Sequence, residues 1–342
     1  MTGKEVFKQA IEFGSPSYIP HSVKIEPEKF LEKDNGKINQ LNDLIDQLNN
    51  DILTDIDAGV YVIDRHEKEG NTFWHDEWGT GWEDDGMGAK TISYPLIEGY
   101  DLLEQISLPQ PNINTRFAAI DVTLANRDGR YICANVWFTL FERLWMLRGF
   151  DNMLVDPYLE YDNFISLRDR IIEYNLEIID AWLERDVDGI FFSDDWGSQR
   201  SLLINPEDWR KFYQPAYEIM FDRVRKGNAH VWMHMCGNII DILPDLIDIG
   251  LNVVNPVQPQ AMDIDYLAKE FGGHVCFNGG IDVQGTMVTG TAKQIRDEVY
   301  YLCDTLANFN GGYIINTSHT PMPETPLDNL ITLLQILIEI QK

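Results

Sequence analysis

Hydrophobic and polar positions change rhythm along this chain. Residues 1–55 read as polar and helical, interrupted at Gly14-Ser-Pro16 and Tyr18-Ile-Pro20, with amphipathic spacing from Ile38 to Asp51. They predict a helical lead-in or cap, leaving 56–342 as the main body. Val60 to Ile63 and Thr72 to His75 are short strand candidates. From residue 118 the pattern becomes regular. Apolar runs at Tyr131 to Trp137, Asp188 to Ser193, His230 to Met235, Leu251 to Val254, His274 to Asn278 and Gly311 to Asn316 predict strands. Helical stripes alternate with them. The clearest are Asn163 to Arg185, with Ile172, Leu176, Ile179 and Leu183 on one face, and Thr291 to Asn308, with Ile295, Val299, Leu302 and Leu306. Asn205-Pro-Glu-Asp opens a helix with a cap, a first-turn proline and acids against the dipole.

Alternating strands and helices with short links require parallel strands and right-handed crossovers. Counting Val60 to Ile63 and Thr72 to His75 as the first two gives eight strands, so the expected fold is an α/β single (β/α)8 barrel. A doubly wound open sheet is the alternative, but no Gly-x-Gly-x-x-Gly follows an early strand.

Composition narrows the partners. Lys and Arg number 27 against 55 Asp and Glu, a formal net charge of -28 over 342 residues. Nucleic acid and anionic membrane both demand a basic footprint, so neither is expected as a partner. No run of 18 apolar residues occurs, and Met1 to Gln9 lacks the apolar core of a signal peptide; a cytoplasmic protein is expected. The four cysteines form no Cys-x-x-Cys pair and read as free thiols.

Candidate chemistry collects at the predicted strand ends, where barrels of this kind place their active sites. His234 and Cys236 are two residues apart at the end of a strand and therefore share a side, offering imidazole and thiolate to a soft divalent metal. A buried core histidine beside a free cysteine is the alternative. Asp194 and Asp195 follow a strand as adjacent acids, so one pKa should rise toward an acid/base role. Asp76, Glu77, Asn255, Gln258, Asn278, Asp282 and His319 fall at corresponding places, although Asp282 also suits a helix cap and Asn255-Pro256 a rigid turn. Trp74, Trp78 and Trp82 recur at spacing four, which fits either one face of a packed helix or a loop walling a pocket for a flat substrate.

The runs Asp195-Trp-Gly-Ser-Gln-Arg200, His234-Met-Cys-Gly-Asn238, Asn255-Pro-Val-Gln258, Asn278-Gly-Gly-Ile-Asp282 and Ser318-His-Thr-Pro-Met-Pro-Glu-Thr-Pro-Leu-Asp-Asn329 resemble the uroporphyrinogen decarboxylase superfamily. The resemblance is strong over 130–342 and implies a single (β/α)8 barrel. That superfamily holds cofactor-free decarboxylases of haem synthesis and zinc-dependent methyltransferases that serve corrinoid proteins. The decarboxylases carry a Gly-Arg-Tyr-type segment near their N-terminus. Here Arg65 is the only arginine before Arg116, so the methyltransferase branch is expected.

That branch carries His-x-Cys where this chain has His234-Met-Cys236. Its usual third ligand, a cysteine after the eighth strand, is replaced here by Ser318-His319, which leaves His319 or Glu77 as third ligand. The resemblance thus implies zinc, a corrinoid (cobalamin) borne by a partner protein, and a small-molecule methyl donor, with a methoxylated aromatic expected. It implies acid or orienting roles for Asp194, Asp195 and Asp76. Substrate contacts are expected from Trp74, Trp78, Trp196, Asn255, Gln258, Asn278 and Asp282. A metal-free decarboxylase acting on a tetrapyrrole or smaller acid, and a non-enzymatic tetrapyrrole or corrinoid binder, are the rival readings. A homodimer is compatible with the resemblance.

Overall fold

The structure is a computed structural model describing residues 1–30, 32–86, 88–104, 108–111 and 113–342. Its strands are β1 (Ile52–Asp57), β2 (Val62–Lys68), β3 (Asn71–Asp76), β4 (Gly81–Asp84), β5 (Ala89–Ser93), β6 (Tyr131–Val136), β7 (Gly189–Ser193), β8 (His230–His234), β9 (Val253–Val257), β10 (Cys276–Ile281) and β11 (Tyr313–Thr317). They form two sheets. Strands β1 and β6 to β11 lie side by side in chain order in a seven-stranded sheet whose pairs are all parallel. Helices such as Tyr161–Leu183, Gln214–Lys226 and Ala292–Leu306 return the chain between strands, and with the closing helix Leu327–Ile340 they cover the outer face.

The sheet curls on itself. Tyr131 and Cys133 of β6 share one buried cluster with Trp232 of β8, Val253 of β9, Cys276 of β10 and Ile314 of β11. Such contacts across the interior need a barrel-like curve. The helix Gly3–Ile11, capped by a Thr2–Glu5 capping box, inserts Phe7, Ala10 and Ile11 into that cluster as a floor. On the other face of the strands, Val231 and Met233 pack with the helices in the larger core.

The expected (β/α)8 count needs correction. Val60 to Ile63 and Thr72 to His75 are not barrel strands; Val62 and Ile63 open β2, and Thr72 to His75 lie in β3, of a separate antiparallel sheet ordered β2-β3-β4-β5. The reason lies in their side chains. A parallel barrel strand is buried on both faces and needs an apolar run, whereas every residue of β2 is exposed. The two-residue link Glu69-Gly70 has positive φ at both positions, the geometry of a tight hairpin.

The first strand of the large sheet is β1, inside the stretch expected to be helical, and the expected boundary at residue 55 falls within it. At the opposite edge, Pro20 and Ser22 exchange backbone hydrogen bonds with Ile315 beside a parallel His21–Ile315 bridge. Among the described residues no ladder joins β1 to β11. The fold is therefore α/β with a curled seven-stranded parallel sheet, barrel-like rather than a strict (β/α)8 barrel. Among the described residues no helix is long and apolar enough to cross a membrane.

Candidate metal centre

Side chains alternate along a strand, and the inward positions of this sheet form two layers. The lower layer is the apolar cluster above the N-terminal helix. Two residues further along, each strand changes character: Asn135 follows Cys133, His234 follows Trp232, Asn255 follows Val253, Asn278 follows Cys276 and Asn316 follows Ile314. This upper layer lines a cavity of about 500 Å³ together with Trp137, Phe191, Thr317 and His319, and with Lys24, Glu26, Lys29 and Phe30 of the N-terminal segment.

His234 sits at one side of that layer, and two loops meet there. In parallel register Ser193 lies opposite His234, so the residues following β7 and β8 emerge as neighbours. Gly197 N–H donates to the Cys236 carbonyl at 3.1 Å, and Asn238 N–H to the Ser198 carbonyl at 2.7 Å. Two glycines permit this closeness. A Cβ on Gly237, whose φ is +84°, would lie 2.4 Å from the Gly197 carbonyl carbon; one on Gly197 would lie 2.5 Å from the Cys236 carbonyl oxygen. Asp195 Oδ1 accepts from Cys236 N–H at 2.8 Å.

The outcome is a compact group of donors. Cys236 Sγ lies 3.3 Å from His234 Nε2, and Asp195 Oδ1 lies 3.8 Å from the same nitrogen. Among the described residues, Asp195, His234 and Cys236 have ligand atoms all within 4.8 Å of one another. Donors around a tetrahedral zinc, with bonds of 2.0–2.3 Å, sit about 3.3–3.8 Å apart. Both separations from His234 Nε2 fall in that range, and the donor types suit zinc.

Its electrostatics also favour a cation. Burial, with the Asp195 charge adding to it, pushes the Cys236 thiol up to about 12. Burial holds His234 below the ordinary imidazole range, against the pull of Asp195. Beside them, burial and the charges of Asp194 and Asp195 raise the Glu142 carboxyl, whose Oε2 is buried without a hydrogen-bond partner. A divalent ion would neutralise this accumulation and deprotonate the thiol it binds.

A family model for uroporphyrinogen decarboxylase (URO-D) matches residues 87–340. The chain belongs to the uroporphyrinogen decarboxylase family. The uroporphyrinogen decarboxylase of Bacillus cereus (strain B4264) is 24% identical over 200 residues, covering 57% of this chain and 53% of that protein. That of Bacillus mycoides (strain KBAB4) matches with the same identity and coverage. The matched stretch thus spans about half the length of these curated relatives. A methyltransferase from Methanosarcina mazei has a similar structure, with a TM-score of 0.70 at 15% identity over 100% of both chains. At that identity the likeness is one of fold.

Within this member of the uroporphyrinogen decarboxylase family, the expected site residues separate into three groups. His234 and Cys236 come together, joined by Asp195. His319, Asn255 and Asn278 line the same cavity, and Gln258 accepts from Gly237 N–H behind it. His319 and Glu77, the two expected third ligands, lie outside the compact group. Glu77 instead receives both 2.8 Å bonds of the Arg116 guanidinium, a side chain wholly buried there.

The remaining candidates serve the scaffold. Asp194 is fully buried and caps the helix Phe141–Arg148, accepting from the backbone N–H groups of Leu140, Phe141 and Glu142 at 2.7–2.9 Å and from the Tyr217 hydroxyl. Asp76 is buried and accepts from Trp78 and Thr80 N–H, Trp82 Nε1 and Arg143 Nη1. Asp282 accepts from Gln284 N–H and Gln260 Nε2, closing a turn. Trp196 is buried, stacked 4.2 Å from Phe141 and bonded to Tyr217. Trp74 stacks on Trp82 across β3 and β4, and Trp78 packs on Tyr174. The acids have spent their polar atoms on folding, whereas Trp78 also walls a second cavity with Leu108, Pro109 and Arg170. The aromatic walls of the cavity beside His234 are Trp137, Phe191, Trp232 and Phe30 instead. Those rings and Glu142 were missed in the sequence. The inward period-two pattern of Trp232 before His234 was the available signal for one of them.

Proposed function

We propose that the chain is a zinc-dependent methyltransferase moving a methyl group from a small methoxylated aromatic donor to a corrinoid carried by a partner protein. The observation that carries this reading is the Asp195–His234–Cys236 group beside an aromatic-walled cavity. Metal-free decarboxylation has no use for a thiol and an imidazole held 3.3 Å apart at a strand end. The full-length fold similarity to a methyltransferase is compatible with this branch, which shares its fold with the decarboxylases.

Asp195, His234 and Cys236 would hold the zinc, and the bound ion would supply Lewis-acid stabilisation to the oxygen that gives up its methyl group. The chain's own groups prepare that event. His234 turns Nε2 toward the other two ligands, and Asp195 is held in place by Cys236 N–H. Trp137, Phe191 and Trp232 offer apolar faces to an aromatic ring and exclude water from it. The cavity opens at the C-terminal ends of the strands, the side from which a corrinoid protein would approach.

Charge disfavours the decarboxylase alternative acting on a porphyrinogen. Among the described residues lining the cavity, Lys24 and Lys29 are the lysines, both paired with Glu26, and no arginine is present. Eight substrate carboxylates would lack counter-ions in a chain of net charge -28.

The test is methyl transfer from a panel of methoxylated aromatics to a reduced corrinoid protein, followed as demethylated phenol. Zinc-loaded protein should turn over at least one donor, and Cys236→Ala should abolish it. Full turnover in Cys236→Ala, or none by zinc-loaded protein across the panel, contradicts the reading.

A further inference from the structure

One hydrogen-bond chain has a direction that can be read from its anchored end. A backbone carbonyl can only accept. The Asn278 side chain lies 3.1 Å from the Ile314 carbonyl oxygen, so its amide nitrogen points there; the same nitrogen is 2.9 Å from Ser22 Oγ. Asn278 Oδ1 is left facing Asn255. The Asn255 atom that meets it at 2.6 Å is therefore Nδ2, the donor. Asn316 Nδ2, at 3.4 Å, approaches the same oxygen.

Asn255 Oδ1 must then be the atom turned to His234, 2.7 Å from Nδ1. An amide oxygen cannot donate, so Nδ1 carries the imidazole proton and Nε2 bears the free lone pair. Nε2 is the nitrogen that faces Cys236 Sγ and Asp195 Oδ1. Both asparagines are almost completely buried.

We propose that Asn255 is a positioning residue that locks His234 in the Nδ1–H tautomer and aims Nε2 at a divalent metal before the metal arrives. Free imidazole side chains favour the opposite tautomer in water, so the protein must impose this one. The imposing group is a neutral amide rather than the carboxylate often found behind a metal-bound histidine. Its orientation is inherited from a main-chain carbonyl of β11 through Asn278. The tautomer stands on the hydrogen-bond chain alone; the purpose assigned to it rests on His234 being a metal ligand, as proposed above.

Two readouts test the proposal. The first is two-bond proton–nitrogen correlation NMR of metal-free protein labelled with 15N-histidine, the His234 signal being assigned with His234→Gln. It should show a protonated Nδ1 and a bare Nε2. The second is zinc affinity by chelator competition. Asn255→Leu should release the tautomer and weaken zinc about 10–100-fold. Asn255→Asp keeps an acceptor for Nδ1–H but sets its other oxygen against Asn278 Oδ1, so it should retain the tautomer and zinc affinity better than Asn255→Leu, at a cost in stability.

A protonated Nε2 in the wild-type protein overturns the proposal whether or not any variant folds. So does a folded Asn255→Leu variant with unchanged tautomer and affinity, even if the metal reading holds. Wild-type protein that shows the Nδ1–H tautomer but takes up no zinc overturns the metal reading, and with it the purpose of the lock.

Discussion

Replacing Asp194 by Asn separates a scaffold acid from a catalytic one. Both Asp194 oxygens are used: Oδ2 accepts from Leu140 N–H, Phe141 N–H and the Tyr217 hydroxyl, and Oδ1 from Glu142 N–H. An asparagine can supply only one of those oxygens. Its NH2 would face either one main-chain donor or several, leaving at least one N–H at the helix start unpaired. Bonds to a charged acceptor contribute about 1.5–3 kcal/mol each against roughly 1 kcal/mol for neutral ones, and an orphaned buried donor costs about 1–3 kcal/mol. Part of this is offset, because burial raises the Asp194 pKa and disfavours its charge, while the donors around it pull the other way.

A net loss of about 2–4 kcal/mol follows. With an unfolding entropy of about 2.1 cal/mol/K per residue it lowers Tm by about 3–6 °C. Urea and thermal unfolding measure the loss, while zinc content and turnover per folded molecule measure the site. The expected variant is less stable with its zinc retained. Asp194→Asn protein as stable as the wild type, yet inactive with zinc bound, would refute the argument and return Asp194 to the chemistry.

The ligand assignment predicts that Asp195→Ala loses zinc affinity in a chelator titration, whereas His319→Ala leaves it within a few-fold; the reverse pattern would reinstate His319 as third ligand. Gly237→Ala meets the Gly197 backbone and a positive φ together, so it should cost about 1–3 kcal/mol of stability and weaken zinc by separating Asp195 from Cys236. Unchanged zinc affinity would contradict that account of the paired loops. His21 is a buried imidazole with neither nitrogen partnered, and burial drives it down to about 4. The unfolded chain protonates this residue near 6.5, so between those values the unfolded state binds more protons. Stability rises with pH there and is lost as pH falls from 6.5 toward 4, by up to about 3 kcal/mol. His21→Leu should flatten that part of the profile in urea titrations, and an unchanged slope would rule His21 out as its source.

Much of the molecule was legible because each barrel strand after residue 130 carries an apolar run closed by a turn. The Asn205 cap and the Ile295 to Leu306 stripe both appear where the pattern placed them. His234 and Cys236 could be paired because their spacing of two fixes a common side. Asp195 was seen, but not as their partner: its approach depends on the β7–β8 register and two crossing glycine loops, which spacing within one strand does not encode. The helix-face reading of the tryptophan series fails for a physical reason. Spacing of four or eight residues suits a helix face, yet Trp74 and Trp82 meet directly across a hairpin, 6.1 Å apart with planes 3° from parallel. Asp194 shows that two adjacent acids can part completely, one turning inward to cap a helix and the other toward His234 and Cys236. Strand β1 was hidden because Ile52-Leu-Thr-Asp-Ile-Asp57 is half polar and finds its partner strand, β6, more than 70 residues away in the chain.

The central claim is that Asp195, His234 and Cys236 hold zinc, and metal analysis of the purified, untagged protein by inductively coupled plasma mass spectrometry tests it most directly. The account predicts close to one zinc per chain in the wild type and its loss in Cys236→Ala protein that remains folded. No zinc in wild-type protein produced with zinc supplied, or the same zinc content in the folded Cys236→Ala variant, would contradict it.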